Sequence, residues 1–405
     1  METTACEKNL IREIISHLVA GDRKWFVEQA IWVGDMGRFV ILNYEPFARN
    51  DFNRLVRGMV IEKPDDGWNG DYLDLVRSFP FTRFFNHGED DADDVDFANS
   101  EMLEKLDGTM AGTFFPKGTP NEPYWHTRKM VSLGPSDSNQ DGGGKLMPVI
   151  DRCVKTLDLT VDDVAFTYIF ELLHPTTIVK TRYRRNQFGL YLIGARNLTT
   201  HRELTEDQLD QVADRIGARR PRRWDAIVSR EEILRMIKEI GKDTPDFEGF
   251  VFRDKATGAR VKVKDPDYVK AVQLGGVISY RNLVSKVLQG EDAEIVAYFP
   301  AAREKVDLIK TRYVEYVERA VEVIKYWRDQ KLDRKPLAHR IFQAGEESDP
   351  YLRSQIMRLF EEKDDGAIQQ QIEQSLMELA IGSETRAGSP GKLVELFGLR
   401  EVDFS

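Results

Sequence analysis

The most informative stretch of this sequence is Glu104-Lys105-Leu106-Asp107-Gly108-Thr109, which contains the pattern Lys-x-Asp-Gly. It follows an acidic segment, residues 89–96, and precedes a strand predicted at Gly112–Phe115. A three-residue pattern of this kind has roughly a one-in-ten chance of occurring somewhere in a chain of this length. On its own it predicts either a nucleophilic lysine or a surface turn with an exposed lysine, and residues further along the chain must decide between the two.

Two acids lie inside apolar, strand-like segments further along the chain. Glu171 belongs to Phe170-Glu171-Leu172-Leu173, and Glu248 opens Glu248-Gly249-Phe250-Val251. Burying a carboxylate without a charged or metal partner costs free energy, so both acids predict such a partner. In the second segment the glycine also permits a close approach of another stretch of backbone.

A strand predicted at Val261-Lys262-Val263-Lys264 places two lysines two positions apart. Side chains alternate between the faces of a strand, so the lysines share one face and the valines the other. Two lysines on one face of a half-buried strand repel each other, which predicts an anionic partner there. Further upstream, Arg57 stands beside a strand in the same way, within Leu55–Val60.

Length, charge and cysteine content exclude several classes of protein. The 405 residues correspond to roughly two or three domains. Lys plus Arg is 58 and Asp plus Glu is 68, so the net charge is 58 − 68 = −10, which argues against a histone-like protein that binds nucleic acid nonspecifically. The cysteines, Cys6 and Cys153, predict neither a zinc module nor a disulfide framework.

The N-terminal segment lacks the basic and apolar regions of a signal peptide. No run of residues approaches the roughly 18 apolar positions that span a membrane. We therefore expect a soluble, intracellular protein with no membrane partner.

The chain changes character near residue 276. Before it, short strands interleave irregularly with helices, which is typical of an α+β domain. After it, apolar residues at alternating steps of three and four predict one face of a long helix from Ala301 to Lys331. These residues are Val306, Ile309, Tyr313, Tyr316, Ala320, Val323 and Trp327. Further helical patterns at Tyr351–Glu362 and Ala367–Ala380 predict an all-helical C-terminal domain. The basic stretch between Lys325 and Arg340 is either a solvated surface or an RNA-backbone contact.

Taken in chain order, these segments resemble the ATP-dependent RNA ligase 1 family of T-even phages, within the covalent nucleotidyltransferase superfamily. Lys105-Leu106-Asp107-Gly108 resembles the nucleophile motif of that family. Phe170-Glu171 resembles its third motif, and Glu248-Gly249-Phe250-Val251 resembles its fourth. Lys262-Val263-Lys264 resembles its fifth. Segments that resemble this family more than DNA ligases are Arg57-Gly58-Met59, Arg83-Phe84-Phe85-Asn86, and Pro175–Val179 followed by Leu192–Asn197. The resemblance covers about residues 1 to 276.

The resemblance implies a nucleotidyltransferase domain of antiparallel sheets with flanking helices over residues 1–276, and a helical RNA-specificity domain over residues 277–405. It implies an ATP-dependent RNA ligase that joins a 3′-hydroxyl to a 5′-phosphate through a lysine-AMP intermediate and an RNA-adenylate. It also implies a role in RNA repair, with cleaved tRNA as substrate and an end-healing kinase/phosphatase as partner. The expected location is the cytoplasm, that of the host if the protein is phage-encoded.

The resemblance also assigns roles to individual residues. Lys105 is the implied nucleophile, and Lys262 and Lys264 are the other implied catalytic residues. The implied nucleotide-binding residues are Arg57, Arg83, Phe85, Gly108, Arg128, Glu171, Gly249 and Val251. For Phe85, filling the core is an equally good interpretation. The implied metal-orienting acids are Asp107, Glu171 and Glu248, which would hold Mg²⁺ or Mn²⁺ and its waters. One position departs from the family pattern: Thr127-Arg128-Lys129 puts either Arg128 or Lys129 in the place of the usual lysine.

The residue types also suggest how the reaction proceeds. A lysine nucleophile must be neutral, yet the ordinary lysine pKa of about 10.4 leaves little amine at neutral pH. Nearby cations and a bound metal lower such a pKa and also stabilise the charge of the transition state. We therefore expect Lys105 to attack the α-phosphorus of ATP, with Arg57 and Arg83 holding the leaving phosphates. AMP then passes to an RNA 5′-phosphate, and a 3′-hydroxyl displaces it. All three steps are in-line phosphoryl transfers, which need position and charge rather than a histidine base.

Two other classes of protein remain as alternatives. A DNA ligase or an mRNA-capping guanylyltransferase uses the same covalent lysine, but we expect such an enzyme to carry a C-terminal β-barrel, and the tail predicted here is helical. A non-catalytic RNA-binding protein derived from a ligase would have no need to keep Lys105, both buried acids and the lysine pair together.

Overall fold

The computed structural model describes most of the 405 residues. The described ranges are 2–20, 26–32, 38–44, 54–63, 69–115, 123–128, 131–132, 150, 153, 157–175, 177, 179–225, 227, 229–274, 278–343, 349–381 and 390–399. The chain divides into two compact units, Met1–Tyr268 and Val269–Ser405. The boundary predicted at residue 276 lies outside the described residues, and the functional division into two domains stays a prediction.

The first unit opens with helix α1 and a four-stranded antiparallel sheet. In chain order and sheet order these elements are α1 (Glu2–Ala20), β1 (Phe26–Trp32), β2 (Arg38–Tyr44), β3 (Arg57–Lys63) and β4 (Val76–Ser78). The helix buries Ile11, Ile14, Ile15 and Leu18 in one core cluster with residues of β2 and β3. These four residues follow the spacing i, i+3, i+4, i+7, which is why this segment forms an amphipathic helix.

Two five-stranded sheets make up the rest of this unit. The second sheet has the order β11 (Gly189–Asn197), β10 (Phe166–Leu173), β7 (Thr109–Phe114), β8 (Tyr124–Thr127), β9 (Val131–Ser132). The third has the order β12 (Arg223–Trp224), β6 (Ser100–Glu104), β13 (Gly249–Asp254), β14 (Arg260–Lys264), β5 (Phe85–Asn86). The described strand pairs are antiparallel, apart from the parallel pair of β14 with β5.

Helices flank these sheets, so the predicted α+β class is confirmed. They are α2 (Glu206–Ile216), α3 (Arg230–Asp243) and α4 (Pro266–Leu274). Helix α2 contributes Leu209, Ala213 and Ile216 to the core of the second sheet. Helix α3 contributes Ile233 and Ile237 to the core of the third. The boundary between the two compact units falls inside α4.

The connection between β6 and β7 decides where the predicted site lies. These strands are consecutive in the chain but belong to different sheets, so residues 105–108 cross from the third sheet to the second. Strand β13 pairs with β6, which brings Glu248 to the start of this crossing. Strand β10 pairs with β7, which brings Glu171 to its end. Segments far apart in sequence therefore meet around Lys105.

The described residues of the second unit form helices and no strands. The α-helices are α5 (Tyr280–Leu288), α6 (Asp292–Tyr298), α7 (Arg303–Asp329), α8 (Arg334–Ala338), α9 (Pro350–Leu359), α10 (Asp365–Ile381) and α11 (Pro390–Leu396). The long helix predicted from Ala301 to Lys331 is confirmed as α7, and its predicted apolar stripe belongs to the core of this unit. Among the described residues, no helix has both the length and the apolar character that crossing a membrane requires.

Candidate active site

Lys105 is held in place by backbone contacts of the crossing between the two larger sheets. Its N–H donates to the carbonyl oxygen of Gly249 at 2.9 Å, and the N–H of Glu104 donates to that of Arg222 at 2.8 Å. Gly108 ends the crossing, and a Cβ atom there would overlap the carbonyl oxygen of Leu172. The Lys-x-Asp-Gly pattern therefore carries glycine at this position because the chain passes directly against strand β10.

Gly249 is required by the same kind of close approach. Its φ is +140°, and a Cβ atom would overlap the carbonyl oxygen of Val263 in the neighbouring strand. The predicted close backbone approach at this glycine is confirmed. Val251, two residues further on, pairs with Lys262 across the two strands. Nucleotide contacts of Gly108, Gly249 and Val251 stay predictions.

One carboxylate holds two of the three predicted catalytic lysines. Lys105 Nζ donates to one oxygen of Glu248 at 2.8 Å, and Lys264 Nζ lies 3.0 Å from the other. The side chain of Glu248 is only 5% exposed. Burial alone would raise the pKa of Glu248, but the positive charges of Lys105 and Lys264 outweigh it and lower that pKa. Of the two strand lysines for which an anionic partner was predicted, Lys264 therefore has one, and it is Glu248.

Lys262 shares a strand face with Lys264 but has a different neighbour. The valines of β14 belong to an apolar core cluster, while its lysines alternate to the opposite face, as the sequence predicts. The Nζ atom of Lys262 lies 5.3 Å from the ring centre of Phe84. An aromatic face attracts a cation, so this contact places the lysine without neutralising it.

Arg260 is a third cation on this face, and the sequence interpretation did not assign it. Its guanidinium group lies 2.5 Å from the carboxylate of Glu203 and 4.4 Å from the ring centre of Phe81. Burial alone would raise the pKa of Glu203, but the charge of Arg260, together with other arginines, lowers it to about 2. Glu203 therefore compensates the charge of Arg260 locally.

Glu171 lies in β10, and its pKa is raised above the ordinary value. Burial raises its pKa from the ordinary value of 4.5 to about 7, against the lowering effect of Lys105. The negative charge of Glu248 also raises this pKa, and the charge of Arg57 lowers it. At neutral pH the group is therefore close to half-ionised, and an added cation would favour the carboxylate.

Asp107 holds a loop that follows strand β10. Its carboxylate accepts hydrogen bonds from the backbone N–H groups of Val179, Lys180 and Thr181 at 3.1, 2.8 and 2.7 Å. Its own N–H donates to the hydroxyl oxygen of Tyr183 at 2.9 Å. The sequence interpretation treated Asp107 as a metal ligand and did not foresee that it anchors a loop.

The three predicted metal-orienting acids do not form a metal cage. In the part of the chain that the structure describes, no group of three or more His, Cys, Asp or Glu side chains is arranged to hold a metal ion. Asp107 and Glu248 are engaged by N–H groups and lysines, and the metal-orienting roles of the three acids stay predictions. Glu171 fits a divalent cation best, because a cation favours its carboxylate form. Magnesium commonly uses one or two carboxylates and keeps several waters.

The predicted phosphate-binding arginines gather around one tyrosine, Tyr44. The guanidinium carbons of Arg83 and Arg128 lie 4.5 and 5.6 Å from the centre of its ring. Arg128 also donates to its hydroxyl group at 3.2 Å. Burial, and next the charge of Arg128, lower the pKa of Arg57 beside them. The cluster therefore carries excess positive charge that a bound anion would relieve. We call Tyr44, Arg57, Arg83 and Arg128 the arginine–tyrosine cluster.

The contacts of Arg128 and Phe85 bear on two assignments for which the sequence left alternatives. Arg128 is fixed by a hydrogen bond of 2.7 Å from the side-chain amide of Asn43 to its carbonyl oxygen. Lys129, the alternative at this family position, lies outside the described residues. Phe85 is 5% exposed, and the guanidinium carbon of Arg83 lies 4.9 Å from the centre of its ring. Its buried ring supports an arginine of the cluster, which agrees with the core-filling interpretation.

Sequence reasoning missed two tyrosines of this site. Tyr44 ends β2, a largely apolar strand that begins at Arg38, and an aromatic residue at a strand end was its signal in the sequence. Tyr268 makes a side-chain hydrogen bond with Asp107, and burial raises its pKa well above the ordinary value. Nothing in the spacing of the motifs points to this second tyrosine.

Comparisons with known proteins return ligases among the solved structures. An archaeal ATP-dependent RNA ligase, form 1, is 14% identical, with a TM-score of 0.45 over 73% of this chain and 79% of that one. An Aquifex aeolicus protein provisionally named an ATP-dependent DNA ligase is 12% identical, with a TM-score of 0.43 over 76% and 79%. A Naegleria gruberi RNA ligase with PPi is 14% identical, with a TM-score of 0.31 over 42% and 50%.

No family model matches the chain, and neither does any curated protein. The resemblance to the T-even phage family therefore stays a prediction. The likeness to solved structures is too distant to assign an activity, so the function must be argued from the geometry of the site.

Proposed function

We propose that this protein is an ATP-dependent RNA ligase that acts through a lysine-AMP intermediate. The observation that carries the proposal is the meeting of Lys105, Glu248 and Lys264 at 2.8 and 3.0 Å. Each residue comes from a separate segment that the sequence alone marks as a candidate motif. A lysine in a surface turn, which is the alternative interpretation, has no need for a buried carboxylate and a second lysine.

In the first step, Lys105 Nζ attacks the α-phosphorus of ATP. A P–N bond forms as the P–O bond to pyrophosphate breaks, and the nearest acceptor for the ammonium proton is Glu248, at 2.8 Å. Lys264 stays beside the same carboxylate and balances negative charge in the transition state. Lys262, on the same strand face, adds a second cation.

The arginine–tyrosine cluster suits the β- and γ-phosphates. The guanidinium groups of Arg83 and Arg128, both at the ring of Tyr44, and that of Arg57 provide planar donors in a fork geometry that matches phosphate oxygens. The lowered pKa of Arg57, caused first by burial and then by Arg128, indicates that the cluster lacks negative charge. A bound polyphosphate supplies that charge and leaves as pyrophosphate.

Glu171 is the residue best suited to a divalent cation in this site. Bound Mg²⁺ or Mn²⁺ would supply Lewis-acid stabilisation of phosphate oxygens. The chain's own contribution is a carboxylate whose pKa of about 7 leaves it responsive to an added cation. Asp107 acts differently, because it fixes the loop at residues 179–181 through backbone hydrogen bonds.

In the second step AMP passes from Lys105 to a 5′-phosphate, and in the third a 3′-hydroxyl displaces AMP and seals the strand. RNA is the proposed substrate, because the described tail is helical and not the β-barrel expected for DNA ligases and capping enzymes. Repair of cleaved tRNA, an end-healing kinase/phosphatase partner and a cytoplasmic location are part of the proposal and rest on the motif resemblance.

The basic stretch in the second unit is a candidate RNA contact, and its cations differ. Lys325 and Arg328 both pair with Asp365, at 2.7 and 2.8 Å, so they are neutralised locally. Lys331, Arg334 and Lys335 are exposed, and among the described residues they pair with no carboxylate. Residues 331–335, in the middle of the stretch, are therefore the part suited to a phosphate backbone.

Incubation with labelled nucleotides tests the proposal. The protein is mixed with ATP, GTP or NAD labelled in the AMP or GMP portion, in the presence of Mg²⁺, and run on a denaturing gel. Labelling by ATP alone, lost in Lys105→Ala and kept in Lys242→Ala, is the expected result. Lys242 is an exposed lysine of helix α3 and serves as the matched control.

The same preparations distinguish the alternatives. Labelling by GTP would indicate a capping enzyme, and no labelling by any nucleotide would indicate a non-catalytic protein. Sealing of nicked duplex DNA in preference to single-stranded, nicked or broken-stem-loop RNA would indicate a DNA ligase.

A further inference from the structure

We propose that unit Met1–Tyr268 carries an RNA-backbone site on a face formed by Arg184, Arg185 and Arg219, next to the nucleophile. The inference rests on the proposed function, because it names where the RNA strand lies during sealing. We call these three residues the arginine face. None of them belongs to the predicted nucleotide-binding or catalytic set.

The arginine face lacks compensating acids. Arg184 and Arg185 are exposed, and within the described ranges neither has a carboxylate partner. Arg219 donates to the backbone carbonyl oxygens of Asn186 and Phe188, at 2.9 and 3.1 Å, which leaves its positive charge unneutralised. Because Arg219 binds the backbone of residues 186 and 188, directly after Arg184 and Arg185, the three arginines gather positive charge locally in a protein with a net charge of −10.

The arginines on either side of the arginine face in sequence, unlike the face itself, have carboxylate partners. Arg182 pairs with Asp246 at 3.1 Å, and Arg222 pairs with Glu104 at 2.8 Å. Both of these paired arginines flank the arginine face, one on each side in sequence. Acids thus neutralise Arg182 and Arg222, while the arginine face between them in sequence stays positive. Such a surface suits a polyanion that binds from solvent.

The arginine face is rigidly joined to the nucleophile motif. Tyr183, adjacent to Arg184, accepts a hydrogen bond from the N–H of Asp107 at 2.9 Å. The Asp107 carboxylate also accepts a hydrogen bond from the N–H of Thr181, which precedes Tyr183 in the same loop, at 2.7 Å. Asp107 is two residues from Lys105, and consecutive Cα atoms are about 3.8 Å apart. A phosphate on the arginine face would therefore lie within a few residues' length of the reacting lysine.

The interaction proposed is with phosphate oxygens, so it predicts a salt effect. Each phosphate contact to a single strand contributes about 0.7 to the slope of log affinity against log salt. Removing two contacts, as in Arg184→Ala/Arg185→Ala, should make this slope shallower by about 1.4. We expect affinity at low salt to fall roughly tenfold. The fold should be unaffected, because neither side chain has a carboxylate partner among the described residues.

The experiment measures binding and chemistry on the full-length protein. The probe is a fluorescent single-stranded RNA with a 5′-phosphate and a 3′-hydroxyl, titrated by anisotropy at several KCl concentrations without ATP. The matched control is Arg202→Ala/Arg235→Ala, which removes two exposed arginines away from this loop. Arg202 follows the far end of β11, a strand whose nine residues span about 26 Å.

The expected result is a weaker, less salt-dependent complex for the face variant and wild-type binding for the control. Lysine-AMP formation from ATP should stay within about twofold of wild type in both. If the face variant bound RNA with the affinity and salt slope of the wild type, the inference would be overturned. It would also be overturned if the control variant lost as much RNA affinity as the face variant. Failure of the wild type to form lysine-AMP would overturn the proposed function instead, and the binding titration would still decide the arginine face.

Discussion

The lysine site and the arginine–tyrosine cluster are both cationic, but they hold their charges in different ways. In the lysine site, one buried carboxylate, that of Glu248, contacts both Lys105 and Lys264. In the cluster, two guanidinium groups lie against the ring of Tyr44. The pKa of Arg57 is lowered there by burial and by its neighbour Arg128. In the lysine site, Glu248 compensates positive charge before any ligand binds. The arginine–tyrosine cluster is suited to binding an anion.

This difference assigns different tasks to the two sites. A compensated lysine is fixed in place, and loss of its ammonium proton gives the neutral amine that attacks phosphorus. The arginine–tyrosine cluster gains most when a polyphosphate binds, and it loses that gain when pyrophosphate leaves. Loss of a lysine should therefore affect the rate of chemistry, and loss of an arginine should affect nucleotide affinity.

The largest effect is expected for Lys105→Ala. Because no other group can form the P–N bond, lysine-AMP formation should fall by at least about a thousandfold. The measurement is labelling with radioactive ATP under single-turnover conditions, with Lys242→Ala as the control. Persistent labelling of Lys105→Ala would show that the nucleophile lies elsewhere and would remove the contrast between the two sites.

A smaller effect is expected for Lys264→Met. The substitution keeps the length of the side chain and removes the charge that balances the transition state, so the rate constant for adenylylation should fall about 100-fold. The KM for ATP should change little. A variant with an unchanged single-turnover rate and a raised KM would place Lys264 with the arginines, contrary to the division proposed here.

The next effect is expected for Arg57→Met. Loss of this arginine should raise the KM for ATP about tenfold and weaken inhibition by added pyrophosphate to a similar degree. The rate at saturating ATP should fall less. Arg12→Met is the matched control, since Arg12 lies in helix α1 and pairs with Asp71 at 2.7 Å. Inhibition by pyrophosphate that equals that of the wild type would contradict a phosphate role for the cluster.

The last prediction concerns Glu171, whose pKa responds to charges of both sites, and it is measured as protein stability rather than as activity. Its pKa is raised by burial from 4.5 to about 7, so the folded protein binds a proton there that the unfolded chain has already released. Its contribution to stability is therefore present below pH 4.5 and is lost as pH rises to 7. Above pH 7, the free energy of unfolding of Glu171→Gln should exceed that of the wild type by about 3 kcal/mol.

Urea unfolding at pH 4.5 and pH 8, without divalent cations, measures this difference. The gain in stability of Glu171→Gln should be small at the lower pH and largest at the higher one. A gain that does not grow with pH would contradict the raised pKa. Added Mg²⁺ should stabilise the wild type more than the variant, because only the wild type offers a carboxylate.

Much of this organisation was predictable because it is local. Alternation along a strand is enough to put Lys262 and Lys264 on one face, and apolar spacing is enough to define helix α7. The requirement for a partner at Glu248 followed from burial alone. These features depend on residues within a few positions of one another.

The rest depends on contacts between distant segments. Tyr44 meets Arg128 across 84 positions, and Asp107 meets the N–H of Thr181 across 74. No periodicity connects such residues, so sequence reasoning assigned Asp107 to a metal and overlooked Tyr44. The metal interpretation also treated three acids as equivalent, whereas the fold gives each a different set of partners.

The most direct test is peptide mapping of the protein after incubation with ATP and Mg²⁺. We predict one adenylate attached through a P–N bond, stable to base, labile to acid, and located on the peptide that contains Lys105. An adenylate on a different side chain, or no adduct on protein freed of bound nucleotide beforehand, would contradict the assignment of Lys105 as the nucleophile.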